Sequence, residues 1–482
     1  MIVHVNYLPH ERRAAASTLL AILFPLLEDG ALDPGLLATL HVHLDWIQYR
    51  ANFRDAVSVR RAVDGRGESI PLADLAIDLR QAEPASLRER LARAFASLAA
   101  AEREADDRLA VEDFTTLSQS LIWQFNRLFW QRLADWERLA GRGFEAALPS
   151  GRSDANDPQA VADAVAEFWT LLVDLDKRGQ LPPELFALEI GVGSGTRAAL
   201  WLDRFKALDQ ERSTGYYPRL RFLLADYSLP TLDRARATVE AHGETVSTIA
   251  MDALNPLRAL SFLRYKILYI HLTNVYDNLP ADELVRRDGR LYLVEARAYL
   301  PGPVARRLAA SYGLAPAELR AAVARLLEAG PDLFGDRDRG VTFWREVWDG
   351  LRLEERLRRL EGIADAPLPS GIDQHHLEDL LATAPEDVRF HISRGAAESF
   401  ANTVPLLHPR GYLQVQDIFV ATMDEYRHGF RGPGKLDGSV VNWVNGALLR
   451  AVGARAGFDV HFAPFRYRPG SRTSILYTTL RD

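Results

Sequence analysis

The chain has 482 residues, 48% hydrophobic and 26% charged, a composition ordinary for a globular protein and a length that calls for more than one core. Its formal net charge of -7 gives no electrostatic reason to bind a polyanion, so nucleic acid is not expected as a partner. The absence of cysteine excludes disulfides, thiolate nucleophiles, iron–sulfur clusters and cysteine-based zinc sites.

Residues 1–150 read as an N-terminal helical region. Arg12 and Arg13 precede an apolar stretch at 14–27. Pro25 interrupts it, Glu28 and Asp29 follow, and no small-x-small cleavage site appears, so it reads as a first buried helix and not as a signal peptide. No apolar run approaches the ~20 residues that span a bilayer. A cytoplasmic protein without membrane contact is expected. Leu37, Leu40, Leu44 and Ile47 recur at helical spacing, as do Leu91, Phe95 and Leu98. Trp123, Phe125, Phe129, Trp130, Leu133 and Trp136 make a strongly aromatic helix, expected to pack on the next domain. A polar loop from Pro149 to Pro158 follows, and its Asp157 can cap the helix that Pro158 starts.

Residues 151–482 read as the second unit. From residue 185 strands and helices alternate: strands near 186–190, 220–225, 246–250 and 266–271, with helices near 197–208 and 229–241. This alternation predicts a parallel sheet covered on both faces. Asp288-Gly289 predicts a hairpin turn before a strand at 292–296. A block at about 303–390, rich in Arg, Leu and Glu, reads as a helical insertion. The α/β pattern resumes with a helix near 395–407 and a strand at 412–420. A helix at 439–456 and strands at 459–465 and 473–480 close the chain.

The segment that carries chemistry is Leu188-Glu189-Ile190-Gly191-Val192-Gly193-Ser194-Gly195-Thr196, where a strand turns into a helix. Glycines there allow a sharp turn and a close backbone approach to a ligand. Asp226, in Ala225-Asp226-Tyr227-Ser228, ends the second strand, where an acid can accept from both ribose hydroxyls of a nucleoside. Met251-Asp252-Ala253 ends the third, where a carboxylate can accept from an adenine amino group. The segment from Thr273 to Pro280 puts polar groups after the fourth strand, at the edge where open α/β sheets bind ligands.

The G-x-G-x-G turn, the segment Asp226-Tyr227-Ser228 with Leu232, Ala235 and Arg236, and the loop from Leu407 to Leu413 together resemble class I SAM-dependent methyltransferases. The resemblance runs from about residue 185 to the C-terminus, the helical insertion excluded. It implies a Rossmann-like methyltransferase sheet and S-adenosyl-L-methionine as cofactor. The implied cofactor contacts are Glu189, Gly191, Gly193, Gly195, Asp226, Ser228, Asp252, Ala253 and Asn274. Asn274, Tyr276 and Asp277 are the catalytic candidates, for positioning the methyl acceptor.

A narrower resemblance is to the MidA-like family, which includes complex I assembly methyltransferases acting on protein arginine. Asn274 to Pro280 resembles its N-E-x-x-D-A-x-P segment, Val415-Gln416-Asp417 its D-Y-G strand end, and Phe430-Arg431 with Gly434-Lys435-Leu436-Asp437 its late loop. Val275 stands where that family has glutamate, and Ile418 and Phe419 where it has Tyr-Gly. The resemblance implies a protein side chain, arginine included, or another acceptor, and a small-molecule methyltransferase is a further reading. A SAM-binding scaffold or assembly factor with little catalysis is the alternative.

No metal is expected. His375 and His376 are adjacent on a helix and point different ways. His41 and His43 would share a face only on a strand, and their context reads as helical.

Overall fold

Leu185–Ile190 is apolar at every position but Glu189 and is buried at every position but Phe186, as a central parallel strand requires. The structure, a computed structural model, describes residues 2–6, 11–32, 35, 40–45, 52–80, 83–99, 107–148, 150–428 and 432–481. Seven strands form the sheet around Leu185–Ile190, in the spatial order Phe458–Pro464, Ser474–Leu480, Leu407–Asp417, Ile267–Thr273, Leu185–Ile190, Leu220–Asp226 and Val246–Ala250. The last five of these run parallel, and Ser474–Leu480 is antiparallel to both its neighbours. This is the expected Rossmann-like α/β sheet. Strand order reverses direction at Leu185–Ile190 and Ile267–Thr273, which makes the crevice above their carboxyl ends the natural ligand site.

Helices cover both faces. Pro158–Lys177 and Thr196–Arg212 pack Val165, Phe168, Trp201 and Phe205 on one side. The first starts where Asp157 Oδ1 accepts from the N–H groups of Gln159 (3.0 Å) and Ala160 (3.1 Å), the expected cap. Arg394–Thr403 and Gly446–Arg455 pack Phe400, Leu448 and Leu449 on the other side. The last helix is shorter than expected. Ser439–Val441 and Val444–Asn445 are short strands, and Asn445 Oδ1 caps the helix through Leu448 N (3.0 Å).

A second sheet of ten strands corrects the expected N-terminal helical region. Arg12–Glu28 is the first buried helix, but Ile2–Asn6, His41–Asp45, Val57–Val63 and Ser69–Ile77 are strands. In His41-Val42-His43-Leu44 apolar and polar side chains alternate, and Val42 and Leu44 are fully buried. That period of two prevails over the helical spacing of Leu37, Leu40, Leu44 and Ile47, of which Leu37 and Ile47 lie outside the described residues. Pro149, Phe430 and Arg431 lie outside them too.

The expected insertion supplies the helices Gly302–Tyr312, Pro316–Ala329, Arg337–Gly350 and Gln374–Thr383, but also the strands Arg352–Arg359 and Val388–Ile392. In the first strand Leu353, Glu355 and Leu357 point inward between charged neighbours, again with a period of two. Val57–Val63 pairs with Arg352–Arg359, and Arg108–Ala110 with Arg290–Pro301, so the N-terminal residues and the insertion share one sheet across the expected boundary at residue 150. The hairpin of Asp282–Arg287 and Arg290–Pro301 turns at Asp288 (φ 48°) and Gly289 (φ 70°), as the sequence predicts. Among the described residues no helix is long and apolar enough to cross a membrane.

Candidate functional site: a cavity at the carboxyl edge of the sheet

A cavity of about 450 Å³ opens at the reversal of strand order. Its sheet side is built from the ends of four strands. Ile190 leads into the glycine turn, whose Gly191 N–H (2.8 Å) and Val192 N–H (3.2 Å) both donate to Ala225 C=O on the neighbouring strand. The three glycines do different work. A Cβ on Gly191 would lie 2.5 Å from Val275 Cγ2, and one on Gly195 2.9 Å from Ala235 Cα. One on Gly193 (φ +56°) would meet no protein atom within 4 Å. Gly191 and Gly193 line the cavity; Gly195 starts the helix behind it.

Asp226 lines the cavity at the end of the second strand, with its Oδ1 accepting from Ser228 N (3.0 Å). Burial pushes its carboxyl up to about 6, against the backbone N–H groups of Ser228, Gly193 and Tyr227, which act to lower it. Ser228 does not line the cavity. It is buried, and its Oγ caps the helix Leu229–Thr238 through Thr231 N (3.4 Å). Asp252 and Ala253 line the third strand's end, where Asp252 Oδ1 accepts from Leu254 N (3.0 Å) and Arg127 Nη2 lies 3.6 Å from Asp252 Oδ2.

The floor holds a buried ion pair. Arg197 Nη1 donates to Glu189 Oε2 (2.9 Å), and Arg197 Nη2 to Tyr269 Oη (2.6 Å). Burial raises the Glu189 carboxyl, while Arg197 acts to lower it. Glu189 lines the cavity, but its charge is spoken for within the protein. Sequence reasoning missed Arg197; an arginine two residues past the glycine turn, eight beyond a strand glutamate, was the available signal.

Beyond the fourth strand the catalytic candidates separate. Asn274 lines the cavity in a left-handed conformation (φ 50°), its C=O accepting from Asn278 Nδ2 (3.1 Å). Tyr276 and Asp277 are buried and do not line it. Their backbone N–H groups donate to Asp417 Oδ2. Asn278 takes the position nearer the cavity. It donates to Asp277 Oδ1 (2.7 Å) and accepts from Trp130 Nε1 (3.1 Å).

The facing wall comes from the aromatic segment, which forms two helices, Ile122–Gln131 and Leu133–Ala140. Phe125, Phe129 and Trp136 pack inward as expected. Trp123, Trp130 and, beyond the helices, Phe144 line the cavity, a role sequence reasoning did not assign them. Asn126 fastens this wall to the sheet, donating to Asn278 C=O (2.8 Å) and accepting from Val440 N (2.9 Å).

No protein-family model and no curated protein matches the chain. Solved structures do. A superfamily member from Burkholderia thailandensis, described as a candidate methyl transferase and bound to S-adenosyl-homocysteine, is 13% identical, over 82% of this chain and 91% of that chain, with a TM-score of 0.45. The CcbJ methyltransferase from Streptomyces caelestis is 13% identical, over 68% of this chain and 92% of that chain, with a TM-score of 0.31. The CurJ carbon methyltransferase is 13% identical, over 76% and 70%, with a TM-score of 0.30. Likenesses at these scores carry no functional weight.

Proposed function

We propose that the chain is an S-adenosyl-L-methionine-dependent methyltransferase. The observation that carries this reading is that the glycine turn, Asp226 and Asp252 end three adjacent parallel strands and line one cavity, at the point where strand order reverses. The residues fit a nucleoside sulfonium. Gly193 leaves room for a close approach, Asp226 is a half-buried acceptor for ribose hydroxyls, and Met251, Ala253 and Leu254 give a flat base an apolar flank beside Asp252.

When bound, the cofactor supplies a methyl group already activated by its positive sulfur. The chain's own work is positioning and the exclusion of water. Trp123, Trp130, Leu133 and Phe144 supply an apolar wall. The chain Trp130–Asn278–Asn274 couples that wall to the end of the fourth strand, which makes Asn274 the candidate for orienting the acceptor. Tyr276 and Asp277 act behind it as positioning residues.

The MidA-like motifs point to a protein side chain, arginine included, as acceptor. A small-molecule acceptor is the second reading, favoured by the aromatic wall. Calorimetry with S-adenosylhomocysteine tests the cofactor, and no binding by folded protein overturns the proposal. Transfer of labelled methyl from S-adenosyl-L-methionine to the protein or the small-molecule fraction of a lysate separates the acceptors. Tight binding with no transfer to either fraction favours the scaffold.

A further inference from the structure

His41 and His43 stand on a strand, the condition under which they share a face. Ile2–Asn6 and His41–Asp45 pair in parallel, with His4 opposite His43 and His41 two residues along. Three imidazoles meet there. The His4 and His43 rings stack with centroids 4.5 Å apart, and the His4 and His41 rings at 5.3 Å. One ring nitrogen from each residue lies within 4.8 Å of the others. His4 Nε2 and His41 Nδ1 are 3.1 Å apart. Two nitrogens bound to one zinc at about 2.0–2.1 Å stand roughly 3–3.4 Å apart, so this spacing matches one edge of a coordination polyhedron.

An outer carboxylate is also in place. Asp74 Oδ2 lies 3.3 Å from His43 Nε2, and Arg287 donates to both Asp74 oxygens at 2.6 and 2.9 Å. A carboxylate on the far nitrogen of a ligating histidine fixes the ring and raises its basicity. Arg287 Nη2 also approaches His43 Nε2, at 3.4 Å, with its charge matched by Asp74. All three histidines are half-buried, so one side of the cluster meets solvent.

We propose that His4, His41 and His43 form a binding site for a divalent transition-metal ion, zinc foremost, with water completing its coordination and Asp74 as the outer carboxylate. Imidazole nitrogens suit zinc, copper and nickel, whereas calcium and magnesium demand oxygen donors. None of these residues lines the cavity at the seven-stranded sheet. The ion staples the edge strand Ile2–Asn6 to its neighbour, a structural role separate from methyl transfer.

The test uses the untagged full-length chain, titrated with zinc chloride and, separately, with cobalt and magnesium chlorides. The expected results are one zinc per chain, a visible absorption band with cobalt, a higher melting temperature with zinc and no response to magnesium. The triple variant His4→Gln/His41→Gln/His43→Gln loses the zinc response, while His375→Gln/His376→Gln keeps it. The single variant His41→Gln, which needs only one ligand replaced, weakens zinc affinity by at least about tenfold. Wild-type protein that binds no zinc overturns the proposal. So does a folded triple variant with full zinc content, or an unchanged affinity in His41→Gln.

Discussion

Asp417 accepts hydrogen bonds from the backbone N–H groups of Tyr276 (2.9 Å) and Asp277 (3.2 Å), which sets the buried carboxyl of Asp277 beside its own. Two carboxyls in one dry site cannot both ionise freely. Burial raises both, Asp417 to about 7, and Asp417 in turn raises Asp277 further. The N–H groups aimed at Asp417 favour its anion, so Asp417 is the first of the two to give up its proton.

A carboxyl raised in the folded state stabilises the fold while protonated. For Asp417 that contribution is complete below the ordinary carboxylate range and is lost as pH rises through about 7. The wild-type melting temperature should therefore fall across neutrality. Asp277→Asn mimics the protonated partner, removes one of the two raised carboxyls and should make that fall shallower. Asp417→Asn turns an amide toward backbone donors and should cost about 1.5–3 kcal/mol. Melting curves across pH check both, and an unaltered slope in Asp277→Asn would refute the raised Asp277 carboxyl.

Asp226→Ala should weaken S-adenosylhomocysteine binding by about 1.5–3 kcal/mol, roughly 10- to 150-fold in Kd, with the melting temperature little changed. Because burial holds the carboxyl near 6, wild-type affinity should also drop as pH falls through about 6. Asp226→Asn should bind weakly with no such dependence. Calorimetry at several pH values reads all three proteins.

Glu189→Ala leaves the Arg197 guanidinium buried without its counter-charge, since both side chains are about 5% exposed or less. The expected loss is about 3–5 kcal/mol. Glu189→Gln keeps a hydrogen-bond acceptor for Arg197 and should lose less. Urea denaturation measures the difference. Equal losses for the two variants would mean that the retained acceptor contributes nothing and that the whole loss comes from the missing charge.

The parts legible in sequence are those set by neighbours along the chain. A run of buried residues, a glycine turn and an acid at the next strand's end lie within 50 residues and fix the sheet side of the cavity. The opposite wall was hidden because it depends on which face of an aromatic helix meets the cavity. Trp123 and Trp130 face it while Phe125 and Phe129 do not, a division decided by a partner more than 140 residues away, Asn278. The same applies to the polar loop after the fourth strand, where Asn274 faces the cavity but Asp277 turns to Asp417, 140 residues on. Local spacing misled in the N-terminal region, where Leu40 and Leu44 fit a helix until strand pairing with Ile2–Asn6 and Ser69–Ile77 decided the matter.

Gly193 separates two roles that a glycine in this turn can have. Its φ of +56° strains any side chain, so Gly193→Ala should melt below wild type, by about 1 kcal/mol in stability. Space is the other question. A Cβ there meets no protein atom within 4 Å, so alanine causes no clash in the unliganded protein. In Gly191→Ala and Gly195→Ala the new Cβ lies 2.5 Å from Val275 Cγ2 and 2.9 Å from Ala235 Cα, and these variants should lose more stability than Gly193→Ala. If the cofactor passes close to Gly193, a Cβ intrudes on the ligand and a branched side chain intrudes most. Gly193→Val should then fold but show no rise in melting temperature with S-adenosylhomocysteine, and Gly193→Ala should show a reduced rise. If the glycine serves only the turn, both variants melt early yet keep the full ligand-induced rise. Melting curves of the four variants, each with and without S-adenosylhomocysteine, tell these apart, and a full rise in Gly193→Val would return the turn to a purely structural role.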